Sequence, residues 1–280
     1  MMERRSFRAM GTSIELLVEA ENAGSELDAC EAEFERLEQV MSRFRPDSEL
    51  SRLNRTGRID ASRDLAEVVE LAIAARERTG GVFDPTVHRA LVAAGYDRTF
   101  DEVAPDAAGG DAPAPCRGGV VVAGRRIEVE DGYELDLGGI GKGFAAERVA
   151  ERLALTGACL VDAGGDIAVR GAPESGVWSI AVDDELTLGL ATGGLATSGR
   201  DRRRWRRGGE ERHHLIDPST GRPAATDVVR VTAVGSDAID AEILAKSLFF
   251  AGSTAALDAD VPAVLVLEDG RRLTTGGLGS

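Results

Sequence analysis

The sequence of 280 residues contains no run of about 18 apolar residues, the length that a helix needs to span a membrane. Its first residues carry charges and are not followed by the apolar stretch of a secretory signal peptide. We therefore expect a cytoplasmic protein without membrane insertion.

Cysteine is also scarce. The three cysteines, Cys30, Cys116 and Cys159, stand far apart, and none belongs to a CxxC pair. An odd number of widely separated cysteines argues against a disulfide framework and against a zinc site. We expect these residues to be small buried hydrophobic side chains.

Lysine is nearly absent from this chain. Only Lys142 and Lys246 are lysines, and the other 31 of the 33 basic residues are arginines. A GC-rich genome or adaptation to salt explains such a bias, but neither explains why two lysines persist. We therefore favour a functional role for Lys142.

The formal net charge of −15 argues against general binding to nucleic acids or anionic membranes.

The stretch from Glu134 to Leu155 has the most distinctive pattern. Asp136 precedes four glycines that fall among six residues, Lys142 stands between the last two, and an amphipathic helix is predicted over 143–155. Glycines before a helix let the backbone approach a ligand, and the free N–H groups of the first turn attract anions. The spacing matches neither the Walker motif nor GxGxxG. A phosphate site and a plain strand-to-helix turn therefore remain alternatives.

Hydrophobic patterns along the rest of the chain predict an α+β fold with mixed or antiparallel sheets flanked by helices. The strands after residue 158 are joined mostly by short turns, which favours antiparallel pairing. The length suits one domain, 1–280, with two interwoven subdomains as the alternative. Residues 97–118 are interpreted as a surface loop or a partly disordered insertion. Further helices are predicted over 25–43, 64–79 and 237–251, a hairpin over 120–130, and strands over 7–20, 177–182, 186–191, 195–198, 228–235 and 262–267. In the first of these strands, a Met-Gly-Thr turn precedes the alternating residues Ile14, Leu16 and Val18.

Several polar residues have an ordinary structural interpretation. Asp84 before Pro85 is typical of a helix start, where the carboxylate caps the first turn. Asp162 and Asp166 flank a glycine turn between two predicted strands, and turn chemistry is favoured over catalysis for both. Six arginines around Trp205 are followed closely by acidic residues, which indicates a solvated hairpin and not a nucleic-acid patch.

Two further patterns leave alternatives open. His214 follows His213 on a predicted strand that leads into an Asp-Pro-Ser-Thr-Gly turn. A histidine in this position is either a general base or a polar residue at a sheet edge. Glu242 and Lys246 lie four residues apart on the last predicted helix, a spacing typical of a surface ion pair. Neither spacing decides between function and structure.

Eight segments that span nearly the whole chain form an ordered set. They are MGTS at 10–13, MSRFRPDSELSRLN at 41–54, GVFDPTV at 81–87, ELDLGGIGKGFAAERVAERL at 134–153, DAGGDIAVRG at 162–171, LATSG at 195–199, HLIDPSTGRP at 214–223 and AEILAKSLFFAG at 241–252. This set resembles the ApbE family, the FAD:protein FMN transferases. One such motif alone is weak evidence for a family, whereas the ordered set of eight is highly specific.

The resemblance implies an enzyme of ApbE-like, T-fold-related architecture. It would take FAD, with Mg²⁺ on the pyrophosphate, and transfer FMN to a threonine hydroxyl of an acceptor protein while AMP leaves. His214 matches the family histidine near the flavin phosphate and is expected to assist the attacking hydroxyl. Gly139 matches the position whose backbone carbonyl contacts the metal. The family's FAD contacts fall on Met10, Phe44, Val82, Phe83, Asp84, Asp136, Lys142 and Ile216.

The last helix departs from the family pattern. Family members usually carry aspartate and threonine as metal ligands four residues apart, and this chain has Glu242 and Lys246 there. A glutamate oxygen remains a hard ligand, but an ammonium cannot ligate a metal unless it is deprotonated. Lys246 in the place of the cation is therefore an alternative to bound magnesium. A protein that binds FAD without transferring FMN, and an FAD pyrophosphatase, remain alternatives to the transferase.

Overall fold

The computed structural model describes residues 1–104, 106–107 and 113–278. Part of the predicted 97–118 loop, namely 105 and 108–112, lies outside the described residues. Within these ranges no helix combines the length and the apolar character needed to cross a bilayer. The helices are α1 (Gly24–Met41), α2 (Glu49–Thr56), α3 (Arg63–Arg78), α4 (His88–Ala93), α5 (Gly141–Leu153) and α6 (Ala238–Leu257), and a 3₁₀ turn covers Phe100–Glu102.

The strands are short and lie mostly in the second half of the chain. They are β1 (Met2–Ala9), β2 (Thr12–Glu19), β3 (Arg58–Asp60), β4 (Asp106–Ala107), β5 (Val120–Ala123), β6 (Arg126–Val129), β7 (Cys159–Ala163), β8 (Asp166–Arg170), β9 (Trp178–Ala181), β10 (Thr187–Leu190), β11 (Gly193–Gly199), β12 (Arg204–Arg207), β13 (Glu210–His213), β14 (Ile216–Asp217), β15 (Arg222–Pro223), β16 (Val228–Gly235), β17 (Ala263–Leu267) and β18 (Arg272–Thr275).

The largest sheet has eight strands in the order β1-β2-β7-β8-β11-β16-β17-β18. Every neighbouring pair in this sheet is antiparallel. β4 and β12 pair in parallel in a separate small sheet. The predicted α+β class, with mixed or antiparallel sheets and flanking helices, is therefore confirmed. The single domain over 1–280 stays a prediction.

Both faces of the large sheet are covered. α5 packs on β7 and β8, and α6 packs on β11 and β16. The alternating Ile14, Leu16 and Val18 of β2 are fully buried in the same cluster as Phe144 of α5. Such side chains contribute about 1.5–3 kcal/mol each when they are fully buried. The β9–β10 hairpin covers the opposite face, where Trp178 is buried.

Helices α5 and α6 cap each other. The Gly143 N–H donates to Glu242 of α6 at 3.1 Å, and the Ala238 N–H at the start of α6 donates to Glu147 of α5 at 2.5 Å. Each helix therefore places a buried carboxylate at the unpaired N–H groups of the other. Burial raises the pKa of Glu147, which also pairs with Arg170. This reciprocal capping fixes the glycine-rich turn against the last helix.

β1 and α2 are among the elements that were not predicted from the sequence. β1 has charged residues at many positions and little apolar alternation, and it pairs with β2 through a turn at Met10–Gly11, where both residues have positive φ. The turn predicted at Met-Gly-Thr is therefore confirmed, and the alternating strand that follows it begins at Thr12. α2 is only two turns long, and the side chain of Ser48 caps it by accepting from the Ser51 N–H.

Gly143→Ala tests the close contact between α5 and α6. A Cβ at this position would lie 2.9 Å from the Ala238 carbonyl oxygen and 3.0 Å from Glu242 Oε2, so the helices would have to separate. We expect the free energy of unfolding to fall by about 1–3 kcal/mol in urea titrations, as at other overpacked sites. Gly24→Ala is the control, because a Cβ there meets nothing within 4 Å. Equal stability of the two variants would contradict this account.

Candidate active site

A cavity of about 450 Å³ opens where the β1–β2 turn, the glycine-rich turn before α5 and helix α6 converge. This volume is typical of small-molecule sites. Glu242 is fully buried just behind the cavity wall, where both lysines reach it. The other eleven residues assigned by the resemblance line the cavity: Met10, Phe44, Val82, Phe83, Asp84, Asp136, Gly139, Lys142, His214, Ile216 and Lys246.

Glu242 accepts hydrogen bonds from three groups. Its Oε1 lies 3.0 Å from Lys246 Nζ and 3.5 Å from Lys142 Nζ, and its Oε2 accepts from the Gly143 N–H at 3.1 Å. Burial acts to raise the pKa of Glu242, but the two lysines and these hydrogen bonds hold it below the ordinary value. The interpretation as a surface ion pair is wrong, because Glu242 is fully buried. We call Glu242, Lys142, Lys246 and Asp166 the Glu242 cluster.

Lys142 connects the two carboxylates of this cluster. Its ammonium pairs with Asp166, which is 2% exposed, as well as with Glu242. Burial lowers the pKa of Lys142 to about 8, and Glu242 acts in the opposite direction, so Lys142 is an ammonium at neutral pH. The turn chemistry predicted for Asp162 is confirmed, because it accepts from the Gly165 N–H at 2.7 Å. The same prediction for Asp166 is wrong, since this carboxylate binds Lys142.

Arg43 and Asp136 form a buried ion pair, and sequence reasoning missed Arg43. Arg43 Nε lies 2.7 Å from Asp136 Oδ2, and Asp136 Oδ1 accepts from the Gly138 N–H at 2.8 Å. The guanidinium also stacks on the rings of Phe44 and Tyr96, at 4.1 and 4.4 Å from their centroids. Asp136 therefore positions both the glycine-rich turn and a cation beside an aromatic wall. Arg43 lies in a segment that matches the family, which was the available signal.

One carboxylate oxygen of Asp84 accepts hydrogen bonds, and the other has no partner among the described residues. Its Oδ1 accepts from the backbone N–H and the hydroxyl of Thr86, at 2.7 and 2.6 Å. The predicted helix start at Pro85 is wrong, because α4 begins at His88 and has no side-chain cap. The buried Oδ2 of Asp84 makes no hydrogen bond to any described residue.

The three histidines all lie in the described part of the chain, and they have different surroundings. His214 lines the cavity. His213 is buried, and its Nε2 lies 3.0 Å from the Ala224 carbonyl oxygen. His88 lies 2.6 Å from a Glu134 oxygen and is not among the residues that line the cavity. Of the three, His214 is therefore the histidine placed to contact a ligand in this cavity.

The imidazole of His214 is neutral at physiological pH. Burial lowers its pKa well below 6.5, and the positive charges of Arg203 and Lys246 act in the same direction. A neutral imidazole with a free nitrogen is available as a proton acceptor, although its low pKa makes it a weak one. Arg203 precedes the β12–β13 hairpin, which was predicted, but its place on the cavity wall was not. No local pattern distinguishes Arg203 from the other arginines of that run.

Three buried polar atoms on residues of this cavity have no hydrogen-bond partner within the described ranges. They are Arg43 Nη2, Asp84 Oδ2 and His214 Nδ1. Unpaired buried polar groups destabilise a fold, and native proteins pair nearly all of them. A cationic donor, an anionic acceptor and a neutral ring nitrogen in one cavity therefore indicate a polar ligand that supplies the missing partners.

The remaining wall of the cavity suits a ring system. Phe44 and Tyr96 lie with ring centroids 5.7 Å apart, and Phe44 is 37% exposed. Met10 holds a φ of 52°, and its N–H donates to Glu38 Oε2 at 2.8 Å. Positive φ is uncommon for a residue other than glycine and is often found at ligand sites. Aromatic rings beside ammonium groups fit a ligand that joins a planar ring to phosphate.

A divalent cation does not fit the donors at the implied metal position. Mg²⁺ prefers about six oxygen ligands in octahedral geometry. In the part of the chain that the structure describes, no group of three or more His, Cys, Asp or Glu side chains could hold a metal. Lys246 contributes an ammonium, and both oxygens of Glu242 already accept from protein donors. The residues at the implied metal position, Gly139, Glu242 and Lys246, therefore offer too few oxygen ligands for Mg²⁺.

Glu242→Gln leaves two ammonium groups beside a neutral amide. We expect a loss of about 3–5 kcal/mol in the free energy of unfolding at neutral pH, the usual effect of breaking a buried ion pair. Glu268→Gln is the control, since it removes an exposed partner of Arg200 and is expected to change stability by less than about 1 kcal/mol. Lys246→Met in the E242Q background should recover part of the loss. A loss in E242Q no larger than in the control would refute the buried cluster.

The sequence is similar to one protein family and to several known proteins. The ApbE family matches residues 10–260 of the sequence. The FAD:protein FMN transferase of Treponema pallidum (strain Nichols) is 30% identical, over 98% of this chain and 87% of that protein. The FAD:protein FMN transferase of Vibrio cholerae serotype O1 is 31% identical, over 78% of this chain and 71% of that protein.

Solved structures have the same architecture. The ApbE protein of Thermotoga maritima MSB8 matches with a TM-score of 0.87 at 26% identity, over 98% of this chain and 97% of that one. A histidine-to-glycine variant of the flavin transferase ApbE of Vibrio cholerae matches with a TM-score of 0.80 at 24% identity, over the same shares, which bears on the fold alone. The family match over most of the sequence, together with the relative at 30% identity, shows that this chain belongs to the ApbE family.

Proposed function

We propose that this protein transfers the FMN moiety of FAD to a hydroxyl group of an acceptor protein and releases AMP. Relatives that cover most of the chain are named for this reaction. The observation that carries the proposal is a single cavity with two ammonium groups, an aromatic wall and three unpaired polar atoms. FAD is the substrate, and a threonine of the acceptor is the hydroxyl that the resemblance implies. A cytoplasmic location stays a prediction.

The cationic part of the cavity suits the pyrophosphate of FAD. Lys142 and Lys246 supply two ammonium groups on its wall. Gly139 lies over the stem of Lys246, and a Cβ there would come within 3.1 Å of Lys246 Cε. The absence of a side chain at this position therefore lets a phosphate oxygen approach the ammonium. The start of α5 adds the favourable field of a helix N-terminus.

The aromatic and polar walls suit the remainder of FAD. Phe44 is 37% exposed and offers ring surface for stacking, and the buried Tyr96 supports it from within the wall. The free Oδ2 of Asp84 accepts a hydrogen bond from an N–H of a heterocycle, and Arg43 Nη2 donates to a ring or phosphate oxygen. The other proposed contacts with FAD are Met10, Val82, Phe83, Asp136 and Ile216, which all line the cavity.

His214 acts as the general base in this proposal. Its Nδ1 takes the proton of the acceptor hydroxyl while the hydroxyl oxygen bonds to the flavin-side phosphorus. The phosphoanhydride P–O bond breaks, and AMP leaves with the bonding electrons. Lys142 stabilises the negative charge on the phosphoryl oxygens. Magnesium, which the resemblance also implied, has no step here, because the donor set does not fit it.

The transfer reaction tests the function and the role of His214 together. The wild-type protein, FAD and a threonine-containing acceptor should yield AMP and a fluorescent acceptor band. His214→Asn should lower kcat by about 10²–10⁴-fold, the usual contribution of a general base, with FAD binding retained. His88→Asn is the control, because His88 is not among the residues that line the cavity. AMP and FMN without acceptor labelling would indicate a pyrophosphatase, and bound FAD without AMP would indicate a binding protein.

The pH profile of transfer tests the surroundings of His214. A base works only when it is unprotonated, so the low pKa of His214 should keep transfer active as the pH falls through 6.5. Arg203→Ala removes a cation that lowers this pKa. The pKa therefore rises, and the acidic decline in kcat/KM should begin at a higher pH. Arg202→Ala, an exposed neighbour, should leave the profile unchanged. Identical profiles for R203A and the wild type would rule out this electrostatic role.

A further inference from the structure

Lys246 lies at the position where the resemblance implies a metal ligand. Its Nζ lies 3.0 Å from Glu242 Oε1, one helical turn away, and the side chain is 14% exposed. Its aliphatic stem crosses Gly139, because a Cβ there would meet Lys246 Cε and Phe83 Cε2, each at 3.1 Å. The ammonium is therefore held against the glycine-rich turn on the cavity wall.

The carboxylate that would bind a metal is already occupied by protein donors. Glu242 Oε1 faces both ammonium groups, and Oε2 accepts from the Gly143 N–H. A divalent cation bound to Glu242 would have to displace an ammonium and would then lie beside two like charges. Such an arrangement is strongly unfavourable in a buried site.

An ammonium can perform the bridging role of a divalent cation. It is a compact point charge with three donors, so one proton can bind Glu242 while another binds a phosphate oxygen. A metal ion joins a carboxylate and a phosphate in the same way. In this chain the bridge is covalently attached to α6 and is present whether or not metal is available.

We propose that the ammonium of Lys246 takes the place of a divalent cation at the pyrophosphate of FAD, so that this chain binds FAD and releases AMP without a metal. The inference rests on the proposed function, because it concerns the same cavity and the same substrate. It differs from the metal-dependent reaction that the resemblance implies, and it follows from the side chains at 242 and 246.

The first experiment measures FAD binding to the full chain by flavin fluorescence, in excess EDTA and in Mg²⁺. The wild-type Kd should differ by less than about threefold between the two conditions. Lys246→Thr should raise the Kd in EDTA by about tenfold or more, a change that corresponds to about 1.4 kcal/mol. Ser247→Ala is the control on the same helix, since its hydroxyl donates to the Ile243 carbonyl at 2.8 Å and it does not line the cavity.

The second experiment restores the ligand types of the family. Glu242→Asp combined with Lys246→Thr supplies a carboxylate and a hydroxyl, which are oxygen ligands that Mg²⁺ accepts. This double variant should bind FAD weakly in EDTA, and Mg²⁺ should restore affinity. A thermal unfolding curve for each variant shows whether it is folded. If the double variant does not fold, the comparison of wild-type protein in EDTA and in Mg²⁺ still decides the question.

The outcomes separate the inference from the proposed function. Wild-type FAD binding or AMP release that is lost in EDTA and restored by Mg²⁺ would overturn the role of Lys246 and leave the transferase intact. Wild-type affinity in K246T without metal would overturn it as well. FAD that binds equally in both conditions, with no AMP formed from the threonine-containing acceptor, would refute the transfer and the metal-free release of AMP, and it would support the role of Lys246 in binding alone. Absence of FAD binding in both conditions would refute both.

Discussion

The buried carboxylate of Glu242 is the interaction on which the site depends. A charged oxygen pair removed from water is stable only if other donors replace the lost hydrogen bonds. Gly143 provides one donor from the backbone, and Lys142 and Lys246 provide the others. Because these donors belong to different segments, one carboxylate sets the distance between the glycine-rich turn and α6. The reciprocal contact between Glu147 and the start of α6 fixes the same pair of helices a second time.

This geometry explains why two lysines persist in a chain that otherwise uses arginine. Both lysines of the sequence approach the same oxygen atom, Glu242 Oε1. A guanidinium is planar and broad, and its donors point outward from a rigid fork, whereas an ammonium concentrates its charge on one atom. Lys246 must also pass close to Gly139, where an added Cβ would lie only 3.1 Å from Lys246 Cε and from Phe83 Cε2. The site therefore requires compact cations, whatever composition the genome favours elsewhere.

Local patterns predicted the four longest helices and the sheet class, because hydrophobic periodicity reports which face of an element is buried. Helices α1, α3, α5 and α6 begin within two residues of their predicted positions. β1 was not predicted because it has little apolar alternation, and its pairing with β2 does not require an apolar face. At the site, spacing alone misassigned Glu242 and Asp166, since an i,i+4 pair or a turn carboxylate has the same pattern whether buried or exposed. Arg43 reaches Asp136 and Tyr96 through the tertiary fold, which no local pattern reports.

The cations that suit a pyrophosphate also control the base beside it. Burial lowers the pKa of His214, and the charges of Arg203 and Lys246 lower it further, so the imidazole stays unprotonated in the free protein. A base with a very low pKa is always available but accepts a proton weakly. In the proposed reaction, the negative charges of a bound pyrophosphate would offset these cations and raise the pKa of His214 toward the value at which a general base is most effective. Substrate binding would then activate the proposed base through the same charges, because a proton on His214 is least favourable when the cavity holds no anion.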